Sequence, residues 1–292
     1  VSGETLASEC GVSRAAIWKA VNALRTEGHK IEGTTNGGYI LEEDDVFSPE
    51  IFTKTFSSLF PDFAECHIEC FKKIDSTNTY AKRLLAECGN LRSPDGTLTE
   101  AGKKFHRAIF IAESQTGGRG RMGRAFYSPN GTGIYFSLLL HPKFSAEKSL
   151  FLTVMAAVSV AETVMKYNKK DVKIKWVNDI YIDGKKVCGI LTEGAINSNK
   201  MLDYAVVGIG INIIAPENGF PDEIKGIATA IFPGNAEKNI KEKIVADVVN
   251  KFFGMYNGED NNYIKRYKEY SYLTGKKINI ILGETTRPAT VI

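Results

Sequence analysis

The loop Gly118-Arg119-Gly120-Arg121-Met122-Gly123-Arg124 does most to limit the fold. Its spelling matches the GxGxxG of a dinucleotide-binding turn. That turn works only when a helix follows at once, so that a pyrophosphate meets the helix N-terminus. Here Ala125 to Tyr127 lead straight into Ser128-Pro129-Asn130-Gly131, a run of turn signals in which a helix cannot start. A Rossmann-type site is therefore excluded. What remains is a loop whose glycines let the backbone wrap a ligand closely. Its arginines offer planar donors to phosphate or carboxylate. A solvated surface loop has the same composition, so the meaning of this one depends on its neighbours.

Those neighbours divide into three stretches. Residues 2–27 read as two short helices around a tight turn, with Leu6, Cys10, Val12, Ile17 and Ala20 apolar. Ala7 stands where the helices approach, Gly11 where the chain reverses, Ser13 as an N-cap and Gly28 as a C-terminal stop. Residues 30–31 and 38–41 flank a turn over 34–37, which predicts a two-stranded hairpin. The acidic segment 42–49 reads as a linker. Strands are predicted over 66–74, 107–114, 133–141, 172–177 and 205–213, and helices over 76–87, 150–167, 240–255 and 263–270. A hairpin over 180–194 turns at Asp183-Gly184. Residues 90–105 are polar and read as an exposed loop. Short strands return from Lys276. The expected domains are a winged helix-turn-helix over 1–47, a mixed-sheet α+β domain over 48–272, and a β-rich piece over 273–292. The chain opens on Val1 and stops at Ile292 inside an apparent strand, so both end domains are expected to be incomplete.

Composition removes several classes. With 292 residues and 43% hydrophobic content, the chain can bury more than one core. A net charge of +3 says little about nucleic acid by itself. Cys10, Cys66, Cys70, Cys88 and Cys188 are odd in number and form no CxxC pair, which predicts free thiols in a reducing cytoplasm. The longest apolar stretch, residues 150–161, is interrupted by Thr153 and Ser159. It is too short for a membrane span and predicts a buried helix. No secretory signal is evident.

Three further motifs carry chemistry. Asp75-Ser76-Thr77-Asn78 falls between a strand and a helix. Helix capping accounts for it alone. A pocket for a small neutral group accounts for it too, because a cyclic urea presents one strong acceptor and two donors, and hydroxyl and amide side chains match both. Lys175-Trp176-Val177-Asn178-Asp179 runs into the hairpin that carries Lys186, Gly189, Ile190 and Leu191. Exposed lysines at a sheet edge are one reading. A cation facing inward to a carboxylate and then an α-phosphate is the other. In Gly208-Ile209-Gly210-Ile211-Asn212, glycines alternate along a strand and leave one face bare. Close helix packing and a flat ligand both fit that pattern.

In this order, the motifs and Gln115 resemble the biotin–protein ligases, and among them the bifunctional class that also represses the biotin operon. The resemblance spans nearly the whole chain. It implies a central domain like that of class II aminoacyl-tRNA synthetases and a C-terminal SH3-like β-barrel. It implies ATP and biotin as substrates with Mg²⁺. The implied partners are a biotin carboxyl carrier acceptor, operator DNA and a second copy of the chain in a ligand-promoted dimer, with no membrane.

By the same resemblance, Ser76, Thr77, Asn78, Gln115, Gly118, Arg119, Gly120, Arg121, Lys186, Gly189 and Gly208 hold biotin. Arg121, Arg124, Phe126, Lys175, Asn178 and Asn212 hold the adenylate. Lys186, Arg119, Arg121 and Asp179 act in catalysis, with Asp179 near the metal or the incoming lysine. Arg14, Ala15, Trp18, Lys19 and Asn22 face DNA. The chain departs from the family where Val177 replaces a common Pro, where Met122 replaces a basic residue, and where Phe126 replaces a stacking Trp. Two rivals stand beside this reading: a DNA-binding regulator without ligase activity, and a ligase for lipoate or octanoate, which needs no polar ring pocket.

Overall fold

A computed structural model describes the chain except residues 27–28, 35–37, 42–46, 62–65, 90, 94, 143, 198–199, 284 and 292. The expected stop at Gly28, most of the turn over 34–37 and most of the acidic segment therefore lie outside the described residues. The chain divides into two compact units, Val1–Ser48 and Pro49–Ile292.

In the first unit, α1 (Gly3–Cys10) and α2 (Arg14–Thr26) precede the strands β1 (Ile31–Thr34) and β2 (Gly38–Leu41), which pair antiparallel. Ser2 caps α1 through its hydroxyl, and Gly11 reverses the chain at φ 64°. Ser13 Oγ accepts from Ala16 N at 3.2 Å and caps α2. Ala7, Ile17 and Val21 form the core with Leu6, Ile31 and Tyr39 packed against it. Cys10, Val12 and Ala20 stay exposed, so the apolar residues of this unit serve its core only in part. Arg14, Ala15, Trp18 and Lys19 are exposed on α2, and Asn22 is half-buried.

The second unit opens with α3 (Pro49–Leu59), which the sequence reading did not anticipate; Pro49 occupies its first turn and Phe52 and Phe56 are fully buried. Then come β3 (Ile68–Ile74), α4 (Thr77–Cys88), α5 (Glu100–Phe105), β4 (Ala108–Gln115) and β5 (Gly133–Leu140). The expected loop over 90–105 thus contains a short helix. Thr99 Oγ1 caps it by accepting from Gly102 N, and Leu91 and Phe105 are buried. Next are α6 (Ser149–Asn168), β6 (Val172–Lys175), β7 (Asp179–Ile182), β8 (Lys185–Ile196), β9 (Leu202–Asn212), α7 (Ile240–Tyr256) and α8 (Tyr263–Glu269). Finally β10 (Lys277–Leu282) and β11 (Thr285–Thr290) pair with each other in a separate two-stranded sheet.

Seven strands form one mixed sheet in the order β3-β4-β5-β9-β8-β7-β6, in which only β3 and β4 run parallel. β5 is buried along its whole length, as expected of a central strand covered on both faces. α4 covers one face through Ala81 and Leu85 against Phe110, Leu139 and Val206. α6 covers the other, with α7 packed against α6. By length and composition alone α6 is long and apolar enough to cross a bilayer, more so than the expected stretch over 150–161. Its residues from Leu152 to Ala161 are buried in the protein, which makes it a core helix.

Candidate active site

The floor of the site is built by strand pairing. Tyr135 pairs with Gly210, which pairs with Gly189; Ser137 pairs with Gly208, which pairs with Leu191. Side chains alternate along a strand, so these rows share the α4 face of the sheet. The three glycines let other groups lie flat on it. A Cβ on Gly208 would collide with the Asn78 side chain, and one on Gly210 would stand 2.6 Å from the Phe126 ring. The bare strip expected for a flat ligand is thus partly occupied by two of the chain's own side chains.

Above the floor stands a polar wall. Ser76 caps α4, placing Thr77 and Asn78 in its first turn, and all three are buried. Gln115, at the end of β4, accepts from Thr77 N through Oε1 at 2.9 Å and donates from Nε2 to Ser128 Oγ at 3.1 Å. Asn78 Nδ2 donates to Leu191 O at 3.2 Å and Glu193 Oε2 at 2.9 Å. The Ser137 hydroxyl donates to Asn78 Oδ1 at 2.6 Å and lies 2.7 Å from Thr77 Oγ1. Lys82 Nζ sits 2.6 Å from Glu193 Oε1. Burial works to raise the Glu193 carboxyl, but bonds from Lys82 and Asn78, with the charges of Lys82 and Arg119, hold it below the usual carboxylate range. Asp75, just before the wall, is also held low: burial is the largest single influence and opposes this, but the Ser76 N–H and Arg83 together prevail.

The glycine–arginine loop closes on itself. Phe126 N donates to Gly118 O at 2.9 Å and Gly120 N to Arg124 O at 2.7 Å. Residues Arg121–Gly123 form one 3₁₀ turn and no α-helix follows, as the turn signals predicted. Arg119 lines the cavity with Ser76, Thr77, Asn78, Gln115 and Phe126. Arg121 points elsewhere, donating to Asn178 Oδ1 at 3.1 Å. Arg124 and Met122 are exposed.

Lys186 enters from β8. The β7–β8 turn has Asp183 and Gly184 both at positive φ, the two-residue hairpin its sequence announced. Lys186 Nζ lies 2.8 Å from Asp179 Oδ1 and 5.7 Å from the Phe126 ring centroid. A Cβ on Gly189 would stand 3.1 Å from Lys186 Nζ, so the cation lies over the glycine floor. Upstream of the hairpin the Trp176–Val177 peptide is cis.

Besides Arg121 and Arg124, three expected residues are not brought to this cavity. Lys175 is exposed on the outer strand β6, its ammonium 5.3 Å above the Tyr181 ring. Asn212 donates to Thr229 O at 3.0 Å. Asn178 donates to Ile190 O at 2.9 Å and opens, with Arg121, on a separate groove beside Thr153 and Thr192. Tyr135, Ser137, Leu191 and Glu193 belong to the site but were not foreseen. Ser137 carried one signal: a lone hydroxyl inside an apolar strand must find a partner. Among the described residues no group of three or more His, Cys, Asp or Glu side chains is arranged to hold a metal. Asp179 is already engaged by Lys186.

Comparison with known proteins agrees with this geometry. Residues 99–212 match the biotin/lipoate A/B protein ligase family, and residues 1–40 match a helix-turn-helix domain. The chain is 32% identical over 270 residues to the bifunctional ligase/repressor BirA of Bacillus subtilis, covering 92% of this chain and 74% of that one. It is 32% identical over 214 residues to the Escherichia coli BirA, covering 73% and 59%. Among solved structures it resembles the biotin protein ligase of Aquifex aeolicus in complex with biotin and ATP, with a TM-score of 0.57 and 26% identity, covering 77% of this chain and 86% of that one.

Proposed function

The chain belongs to the biotin/lipoate A/B protein ligase family, in the branch that joins the ligase to a helix-turn-helix, and from that premise we infer that it is a biotin–[biotin carboxyl-carrier protein] ligase and a biotin-responsive repressor. It forms biotinyl-5'-AMP from biotin and ATP and passes the biotin to a lysine of an acceptor protein. The observation that carries this reading is the polar wall of Ser76, Thr77, Asn78 and Gln115 over a glycine floor, with Lys186 beside it. A ureido ring needs both acceptors and donors, and a lipoyl or octanoyl chain needs neither. That contrast disfavours a lipoate-type ligase. A regulator without ligase activity has no use for Lys186 and Arg119 beside the same pocket. The test is direct: labelled biotin, ATP, magnesium and a carrier domain should give labelled carrier, and omission of ATP should abolish it.

The mechanism follows from charge. Biotin's carboxylate is ionised near neutral pH, so the first step needs no general base. A carboxylate oxygen bonds the α-phosphorus, and the bond to the pyrophosphate oxygen breaks. The barrier is anion meeting anion, which Lys186, Arg119 and Arg121 lower by position and charge. In the second step the neutral lysine amine attacks the carbonyl carbon and AMP leaves. Asp179 takes the proton in this proposal. Magnesium, when bound with ATP, would offset the phosphate charge, and Asp179 is the carboxylate that would lie near it. Gly118, Gly120, Arg121 and Arg124 are assigned to the cover over the adenylate. Phe126, Asn178, Asn212 and Lys175 remain the proposed adenylate contacts, with Lys175 and Asn212 requiring a change of partner.

The finer fold and partner assignments belong to the same proposal. The central sheet is read as related to class II aminoacyl-tRNA synthetases, and the β10–β11 hairpin as part of a small SH3-like β-barrel. Domain limits of 1–47, 48–272 and 273–292 follow. Arg14, Ala15, Trp18, Lys19 and Asn22 read operator DNA, in a dimer promoted by the adenylate. Acceptor and operator are both cytoplasmic, so the enzyme is placed there.

A further inference from the structure

The direction of the Asn78–Ser137–Thr77 hydrogen bonds can be traced to two acceptors on β8, the Glu193 carboxylate and the Leu191 carbonyl. Glu193 projects from β8 on the same face as Gly189 and Leu191, and meets Asn78 on α4. An ionised carboxylate only accepts, and so does the Leu191 carbonyl. Asn78 must therefore turn its NH₂ toward both, which leaves Oδ1 facing Ser137. Ser137 has one proton, and Oδ1 takes it. The Ser137 oxygen, 2.7 Å from Thr77 Oγ1, then competes with Gln115 Oε1, 3.3 Å away, for the Thr77 proton, and the nearer oxygen takes it. The reverse assignment leaves two lone pairs facing each other at hydrogen-bond distance inside a buried network, which is costly. With its proton spent, Thr77 Oγ1 offers only lone pairs to anything else in the cavity. Asn78 Oδ1 likewise offers only lone pairs. At the other end, Gln115 Oε1 is held by Thr77 N.

We propose that Glu193, paired with Lys82, is a positioning residue that sets this direction and so makes the pocket select a ring bearing N–H donors. The inference rests on the biotin reading above and deepens it: the ureido N–H groups would meet acceptors that cannot become donors while Glu193 stays ionised. Neither Glu193 nor Lys82 needs to touch the substrate. Glutamine at 193 keeps the shape but supplies a donor, which leaves the Leu191 carbonyl alone to hold the Asn78 amide and weakens the preference for this direction.

The test uses the full chain and measures pyrophosphate release with biotin, with a biotin methylated on its ring nitrogens as competitor. Glu193→Gln should raise the biotin KM about tenfold, a loss of about 1.4 kcal/mol, and keep kcat within about twofold. The preference over the methylated competitor should shrink by the same factor. Lys82→Met gives an independent readout. The charges facing Glu193 among the described residues are Lys82 on α4 and Arg119 from the glycine–arginine loop. Without Lys82, Glu193 should take a proton more readily, so the biotin KM should climb as pH falls toward about 5 and recover near about 7.5. The parent and Glu193→Gln should stay flat over that range. A Glu193→Gln protein with the parent's biotin KM and preference overturns the inference and leaves the ligase reading intact. A parent protein that does not use biotin removes both.

Discussion

Lys186 and Asp179 face each other across the β7–β8 hairpin with ammonium and carboxylate 2.8 Å apart, and Asp179 Oδ1 is buried without an aligned hydrogen bond among the described residues. The cation is therefore held at the floor before any anion arrives, and a substrate carboxylate or phosphate has to share it. Lys186→Gln should lose adenylate formation by about tenfold to a hundredfold, the equivalent of a charge-assisted contact of about 1.5–3 kcal/mol. It should also leave Asp179 uncompensated. Adding Asp179→Asn should recover stability but not pyrophosphate release. Release at the parent rate from folded Lys186→Gln excludes the lysine from the site.

Arg121 ties the glycine–arginine loop to Asn178 at 3.1 Å. Arg121→Gly removes that tie and a donor to the phosphate, and should shorten retention of biotinyl-adenylate while biotin binding changes little. The escaping adenylate should label lysines on a bystander protein. Trapping and timing the intermediate on parent and variant checks this; equal lifetimes dismiss the loop as a clamp.

On α2, Lys19 is exposed beside Trp18, on the side away from Ile17 and Val21. Lys19→Ala should weaken DNA binding to all sequences alike and reduce the salt slope of log K by about 1, the signature of one phosphate contact. Changed preference among operators with an unchanged slope would assign Lys19 to bases instead.

If the first unit reads DNA as proposed, its few cations (Arg14, Lys19, Arg25) would bind weakly alone, whereas two linked copies would gain effective concentration. Sedimentation should therefore show dimer with biotinyl-adenylate and mostly monomer without it. By linkage, dimerisation should tighten adenylate binding by the same factor. Monomer at all concentrations in both states ends the coupled-repressor proposal and spares the ligase.

Stability offers a separate check. Lys241 on α7 reaches Glu113 on β4 at 3.0 Å, and both side chains are nearly buried. Lys241→Ala should cost about 3–5 kcal/mol in urea unfolding, because it strands a buried charge. The double change Lys241→Met with Glu113→Leu should regain most of it. A cost below about 1 kcal/mol for the single change would mean that water reaches the pair.

The core of the site was legible because its motifs are short and contiguous. Ser76-Thr77-Asn78, the glycine–arginine loop and the paired glycines each carry their geometry in a few residues. Glu193 was not legible: it meets Asn78 across 115 residues of chain, and nothing local distinguishes it from a surface glutamate. Lys175 shows the opposite failure. It adjoins the Trp176-Val177-Asn178-Asp179 motif in sequence, yet it lies on an edge strand and its ammonium rests on Tyr181. α5 was hidden by polar composition, because Thr99 and the apolar pair Leu91 and Phe105 outweigh the lysines between them.

The alternation along β8 has a consequence for how the protein matures. Gly189, Leu191 and Glu193 look toward α4, while Thr192 between them meets Thr153 on α6 at 2.7 Å. A slip of one position against β9 would exchange the two sets. Ile190 would then fill the cavity, and Glu193 would be driven into the helical layer. A chain mispaired there would lose its glycine floor, so strand register and the pocket stand or fall together.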